Sequence, residues 1–123
     1  MPDEPSTGTP DDTPIEQQAR EQTGERKIRL RIDEQNMQTC YANAFRTNGT
    51  AEEVVLDLGL NQVSPAPEQE DQPEMIFRLN SRVVMNYYTA KRLAITLSRV
   101  IRRHEDQFGE IELDVARRRK RDG

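Results

Sequence analysis

One histidine, one cysteine, one strand-borne aspartate and a spread of arginines are the side chains through which this chain could act chemically. His104 has Glu105 beside it. A zinc site or a general base needs convergent partners, and neighbours at i and i+1 of a helix point apart. His104 therefore reads as a partly buried packing histidine, with pH sensing or catalysis as the lesser alternative. Cys40, followed by Tyr41, would be a nucleophile only beside a base that lowers its pKa. No His–Asn or His–Asp pairing accompanies it, so it reads as a small buried residue. Asp57 shares a strand face with arginine, where cross-strand ion pairing to Arg29, Arg31, Arg78 or Arg82 is the default. A carboxylate active site wants a second acid close by, and none can be placed. No Gly-rich phosphate loop, CxxC pair or Ser/His/Asp order occurs. The expectation is a protein that is not an enzyme, with no catalytic residue, no metal ligand and no cofactor.

The arginines make the sharper case. Arg29, Arg31, Arg78 and Arg82 fall on one face of the strands outlined below, and arginines on a long helix and the RRRKR run at 117–121 add to them. Arginine grips phosphate bidentately, and a basic stripe is the footprint of nucleic-acid binders. Against that, aromatics make up only 5% of the chain and no groove-reading motif appears. A solvated or subunit-facing charged surface is the plainer reading, with nucleic acid as the alternative partner. RRRKR also resembles a nuclear-localisation run, for which a solvated tail is again the plainer reading.

Those side chains need a scaffold, and little chain is available to build one. Of 123 residues, 1–24 hold four of the seven prolines and almost no large apolar residue. Such a segment cannot offset its chain entropy and is expected to be disordered. Residues 116–123 form a basic tail with no apolar anchor. A single domain at 25–115 remains, so small that stability is marginal without a partner. A charged fraction of 33% with net charge −4 favours solubility and argues against general nucleic-acid binding. No run approaches the ~18 apolar residues of a membrane span. The acidic, Pro-rich start is unlike a signal peptide, and a lone cysteine suits a reducing cytoplasm.

Periodicity supplies the elements. KIRLRID at 27–33 alternates strictly, with Ile28, Leu30 and Ile32 on one face, as a half-buried strand does. Residues 33–46 fit two readings. Met37, Cys40, Tyr41, Ala44 and Phe45 follow a helical spacing, but 40–47 can also be a strand whose Asn48-Gly49 opens a hairpin. Residues 53–60 put Val54, Leu56, Leu58 and Leu60 on one face, and Gly59 marks a bulge or a close backbone approach. Residues 61–73 read as a mobile loop rich in Pro and acids. Residues 74–85 form the longest strand, with Met75, Phe77, Leu79, Val83 and Met85 together. Asn86 caps a long helix carrying a stripe from Ala90 through Leu97 to Phe108, and Gly109 ends it. Residues 110–115 alternate as a short edge strand would. The fold class is α+β: an antiparallel four-stranded meander with the long helix packed on one face, between disordered tails. Tyr87, Tyr88 and Ile95 lie on the helix flank away from that face, and Tyr88 and Ile95 with the four strand arginines form the candidate interaction surface.

The order YAN at 41–43, EVVLDLG at 53–59, SRVV at 81–84, AKRL at 90–93, His104-Glu105 and FGEI at 108–111 resembles a bacterial family of short proteins, domain-of-unknown-function family 3467. The resemblance covers residues 28–111. It implies a strand after YAN and so favours the strand reading of 40–47. Tyr87 stands where that family commonly has a helix-opening proline, and His104 where it commonly has tyrosine. The family has no established activity, so the resemblance implies a fold and no catalytic residues. The layout is also similar to that of SecB-type export chaperones, at the level of topology alone. The expected function is a cytoplasmic homo-oligomer acting as a protein–protein interaction module, with a chaperone-like variant. Nucleic-acid binding is the alternative, and no membrane partner is expected.

Overall fold

The computed structural model describes residues 15–64 and 72–122. In chain order the elements are α1 (Ile15–Thr23), β1 (Ala44–Gly49), β2 (Glu53–Ser64), β3 (Glu74–Asn86), α2 (Tyr87–Phe108) and α3 (Val115–Asp122). The class is α+β, with one antiparallel sheet in the order β1–β2–β3 and one long helix. Two units divide the chain. Arg31–Lys91 holds the sheet and the first turn of α2, and the second unit joins α1 and its sequel up to Leu30 with the rest of α2 and α3.

In the sheet unit, residues 44–47 of the segment read two ways are strand, part of β1, and residues 40–43 are irregular; none of 40–47 is helical. Phe45 and Thr47 lie opposite Leu58 and Leu56, and such cross-strand contacts outweigh a short helical pattern. Residues 50–52 then reverse the chain. The Thr50 amide donates to the Glu53 carbonyl at 2.9 Å, and the Thr50 hydroxyl accepts from the Glu52 and Glu53 amides at 3.2 and 3.1 Å. Tyr87, the first residue of α2, donates its hydroxyl to the Thr50 carbonyl at 2.7 Å. It lies so close over Gly49 that an added Cβ there would stand 2.6 Å from the phenol oxygen. The helix start and the hairpin turn are thereby pinned together.

β2 and β3 pair along their whole length, β2 running on to Ser64 through part of the expected loop. Residues 65–71 of that loop lie outside the described residues. One irregularity interrupts the ladder. Leu58 faces Ser81 but Gly59 faces Leu79, so Asn80 is an extra residue bulged out of β3. Opposite it, a Cβ on Gly59 would collide with the Arg78 carbonyl and stand 2.8 Å from its carbon. Gly59 is thus both beside a bulge and a point of close backbone approach, as its place in the strand suggested. The bulge also overturns one expectation. Met75, Phe77 and Leu79 come to the face of Asp57, whereas Val83 and Met85 share the face of Leu56 and Val54. Both faces of the sheet are therefore apolar.

The expected fourth strand is not formed. Among the described residues the sheet has three strands, and residues 27–33 join no ladder. The connection into β1 gives the reason. The Tyr41 carbonyl accepts from Asn80 on β3 at 3.1 Å, and the Cys40 sulfur lies 3.1 Å from the Ser81 hydroxyl, also on β3. Asn43 then binds β2, its amide donating to the Gly59 carbonyl at 3.0 Å and its side chain accepting from the Asn61 amide at 2.8 Å. The chain crosses the sheet from β3 to β1 before β1 begins. A meander needs a hairpin at the β1 edge, and this crossing removes it.

In the other unit, local capping builds structure in segments expected to lack it. Residues 15–23 form α1, supported by a Gln17–Glu21 hydrogen bond of 3.0 Å. Gly24 ends the helix at φ 77°, its amide donating to Arg20 at 2.7 Å. The rest of the expected disordered tail, 1–14, lies outside the described residues. α2 starts in the sheet unit, where the Asn86 side chain caps it by accepting from the Thr89 amide at 2.8 Å, and Gly109 closes it in this unit at φ 97°. Residues 110–114 are irregular and not an edge strand. Glu105 reaches past the helix end and accepts from the Ile111 amide at 3.0 Å. Asp114 caps α3, accepting from Ala116 at 2.9 Å, so the basic tail starts as a helix.

Candidate functional site

Asp57 is the one buried polar side chain among the described residues, 4% exposed. Its carboxylate is held across all three strands. Arg82 of β3 grips it bidentately, Nε to Oδ1 at 2.7 Å and the terminal nitrogen to Oδ2 at 3.0 Å. Arg46 of β1 adds a bond from Nε to Oδ2 at 2.8 Å. The register makes this arrangement inevitable, because Arg46, Asp57 and Arg82 stand in one cross-strand row. The Arg82 hydrogen bonds, and then that of Arg46, hold the Asp57 carboxyl well below the usual carboxylate range. In return Asp57 raises the Arg82 guanidinium further above its ordinary value. A carboxylate locked in its ionised form, with both oxygens occupied, accepts no proton near neutrality. Its chemistry is that of a structural pin.

Sequence alternation anticipated the ion pair and Arg82 as one partner. Arg46 was missed because it lies in the segment open to two readings. Its place opposite Asp57 follows only from the β1–β2 register.

Arg78 and Arg82 lie on opposite faces of the sheet. Arg82 is committed to Asp57. Arg78 lies beyond the bulge, opposite Leu60 and so on the other face, and donates to Gln62 at 3.2 Å. Arg29 and Arg31 belong to the unpaired segment 27–33. Tyr88 is the more exposed helix candidate at 77%. Ile95 lines a shallow open groove on α2 with Ala94, Ser98, Arg99 and Arg102.

The two nucleophile or base candidates are placed differently from expectation. Cys40 is exposed and not buried, because the crossing connection carries it over the sheet to Ser81. His104 is exposed as well, its ring tilted against Phe108 one helical turn on, with centroids 4.9 Å apart. In the same unit Arg92 donates to Glu21 at 2.8 Å, which pulls the Glu21 carboxyl below its usual value and ties α2 to α1. Among the described residues no group of three or more His, Cys, Asp or Glu side chains is set to hold a metal ion.

The apolar residues are the larger anomaly. No apolar side chain among the described residues is buried. On one sheet face Phe45 is 68% exposed and Val83 is exposed beside Leu56 and Leu58; on the other, Val84, Met75 and Val63 are exposed. The α2 stripe of Leu93, Leu97, Val100 and Ile101 is exposed too. No described helix is long and apolar enough to cross a membrane.

Comparison with known families finds one match. A family model described as "Protein of unknown function (DUF3467)" matches residues 9–113. No curated protein and no solved structure matches the chain.

Proposed function

This chain belongs to the DUF3467 family, and we propose that it is a non-enzymatic, cytoplasmic protein–protein association module whose fold is completed in a homo-oligomer. One observation carries this reading: no apolar side chain among the described residues is buried. Burying one Leu, Val, Ile or Phe side chain contributes about 1.5–3 kcal/mol. A chain that leaves them half-buried or exposed gains only part of that contribution to set against conformational entropy. Apolar surface on this scale marks association, and obligate dimers bury surfaces resembling a domain core cut in half. A second copy is the proposed partner because each chain carries exposed apolar residues both on its sheet and along the α2 stripe, in equal number from copy to copy.

Nucleic acid draws less support as the partner. Arg46 and Arg82 already neutralise Asp57, and Arg78 faces the other way. Non-enzymatic action is favoured by the use of Asp57 as a pin and by the neighbours of Cys40 and His104, which are a serine and a phenylalanine.

Light scattering on the full-length chain at micromolar concentration tests the proposal. A mass of twice 14.2 kDa or more is expected. A stable, folded monomer of 14.2 kDa would overturn it. The chaperone-like variant adds that the assembly slows aggregation of an unfolded model polypeptide, and no slowing removes that variant. A filter-binding titration whose affinity collapses as salt rises would transfer support to nucleic acid.

A further inference from the structure

We infer that residues 27–33 of one copy form the fourth strand of a second copy's sheet, laid along the open edge of β1. This deepens the association reading above and rests on it.

The observations are complementary. Residues 27–33 have the strict alternation of a half-buried strand, yet among the described residues they join no ladder, and Ile28, Leu30 and Ile32 are exposed. β1 is a six-residue edge strand with an unbroken ladder to β2 and, among the described residues, no neighbour on its other side. An unpaired edge presents a row of backbone donors and acceptors that accepts another strand. Phe45 of β1 is 68% exposed at that edge. An added strand with Ile28, Leu30 and Ile32 on the same face would bring an apolar side chain within ~5 Å of Phe45.

The crossing connection shows why the strand comes from another chain. The Cys40 side chain and the Tyr41 carbonyl are bound to β3, on the opposite side of the sheet from the β1 edge. Two strand spacings, about 10 Å, separate β3 from β1. To lie beside its own β1, the upstream segment would have to recross the sheet it has just crossed. A turn at 33–37 redirects the chain there, with the Gln35 amide donating to Asp33 at 3.0 Å and the Met37 amide to the Glu34 carbonyl at 3.1 Å. The β3 edge is the poorer acceptor, because the Asn80 bulge interrupts it, and bulges blunt edges against pairing. Charge does not make the choice: the strand would bring Arg29 and Arg31 to the face that already holds Arg46. Apolar pattern and edge geometry select β1.

Hydrogen exchange on the full-length chain over a range of concentrations, alongside sedimentation, tests this. In the dimer, amides of 28–32 and the outward-facing amides of β1, those not bonded to β2, should be protected together, and both should lose protection on dilution. Leu30→Pro removes a strand donor from a segment that joins no ladder among the described residues of its own chain. It should weaken dimerisation about tenfold or more, the equivalent of ~1.4 kcal/mol. Protection of 28–32 that does not change on dilution would place the strand within its own chain and overturn the inference. A dimer with 28–32 unprotected, or one unaffected by Leu30→Pro, would overturn it while leaving association intact. Absence of any oligomer would instead remove the association reading itself.

Discussion

Gly59→Ala probes the centre of the sheet. The new Cβ would strike the Arg78 carbonyl oxygen and stand 2.8 Å from its carbon and 2.9 Å from the Leu79 Cα. Carbon atoms rest about 3.5 Å apart or more, so β3 must retreat by roughly 0.7 Å. Every atom in the way is backbone, held in the β2–β3 ladder on both sides of the bulge. No side chain can swing aside to make room. Overpacking of this kind costs about 1–3 kcal/mol, and backbone obstruction puts Gly59 at the upper end. The reduced freedom of alanine in the unfolded chain returns about 0.4–1 kcal/mol. The net loss is about 2 kcal/mol, which lowers the melting temperature of a domain this size by roughly 8–16 °C. Circular dichroism melts of parent and variant read the shift directly. They must share one protein concentration, since association makes melting concentration-dependent. A variant within about 2 °C of the parent would refute the close approach, because ordinary surface substitutions stay within ~0.5 kcal/mol.

Two further outcomes are expected. The Asp57 carboxyl is held below its ordinary value by Arg82 and Arg46. Its stabilisation is therefore complete above the unfolded-state pKa of about 4 and is lost as pH falls towards the lower folded-state value. Asp57→Asn should melt lower than the parent at neutral pH and lose less on acidification below about pH 4. Parallel acid profiles for the two proteins would show that the triad contributes nothing. Tyr87→Phe removes the hydrogen bond to Thr50 and should cost about 1 kcal/mol in a melt. Gly49→Ala pushes the same hydroxyl aside, so the double variant should lose less than the sum of the two. Strict additivity would mean that the two changes act on different contacts.

Local chemistry was legible in the sequence, and pairing was not. Asn86 and Gly109 mark the ends of α2 because caps act within a turn of their own residues. Alternation located β2 and β3 because period-two burial is written in the order of residues. It could not reveal the bulge. The odd-numbered apolar residues of β3 run through Asn80 without a break, and only the register against β2 exposes the change of face. Arg46 and Tyr87 were missed for a related reason, since their partners lie across a strand pair and a turn respectively. Residues 27–33 show the limit most plainly. Alternation reports that a segment can lie on a sheet, but says nothing about which sheet edge is within reach.

The Arg46–Asp57–Arg82 row governs how the sheet comes apart. A short outer strand ordinarily frays first, opening at little cost while its neighbours stay closed. Here, losing β1 strips Arg46 from a buried carboxylate and leaves one oxygen with a single remaining donor. The penalty for that half-satisfied charge falls on the partly open form and not on the fully unfolded one, where water solvates Asp57. Partial opening is thus disfavoured from both sides. The amides of β1 should exchange through the same global event as those of β2, making this outer strand as long-lived as the central one.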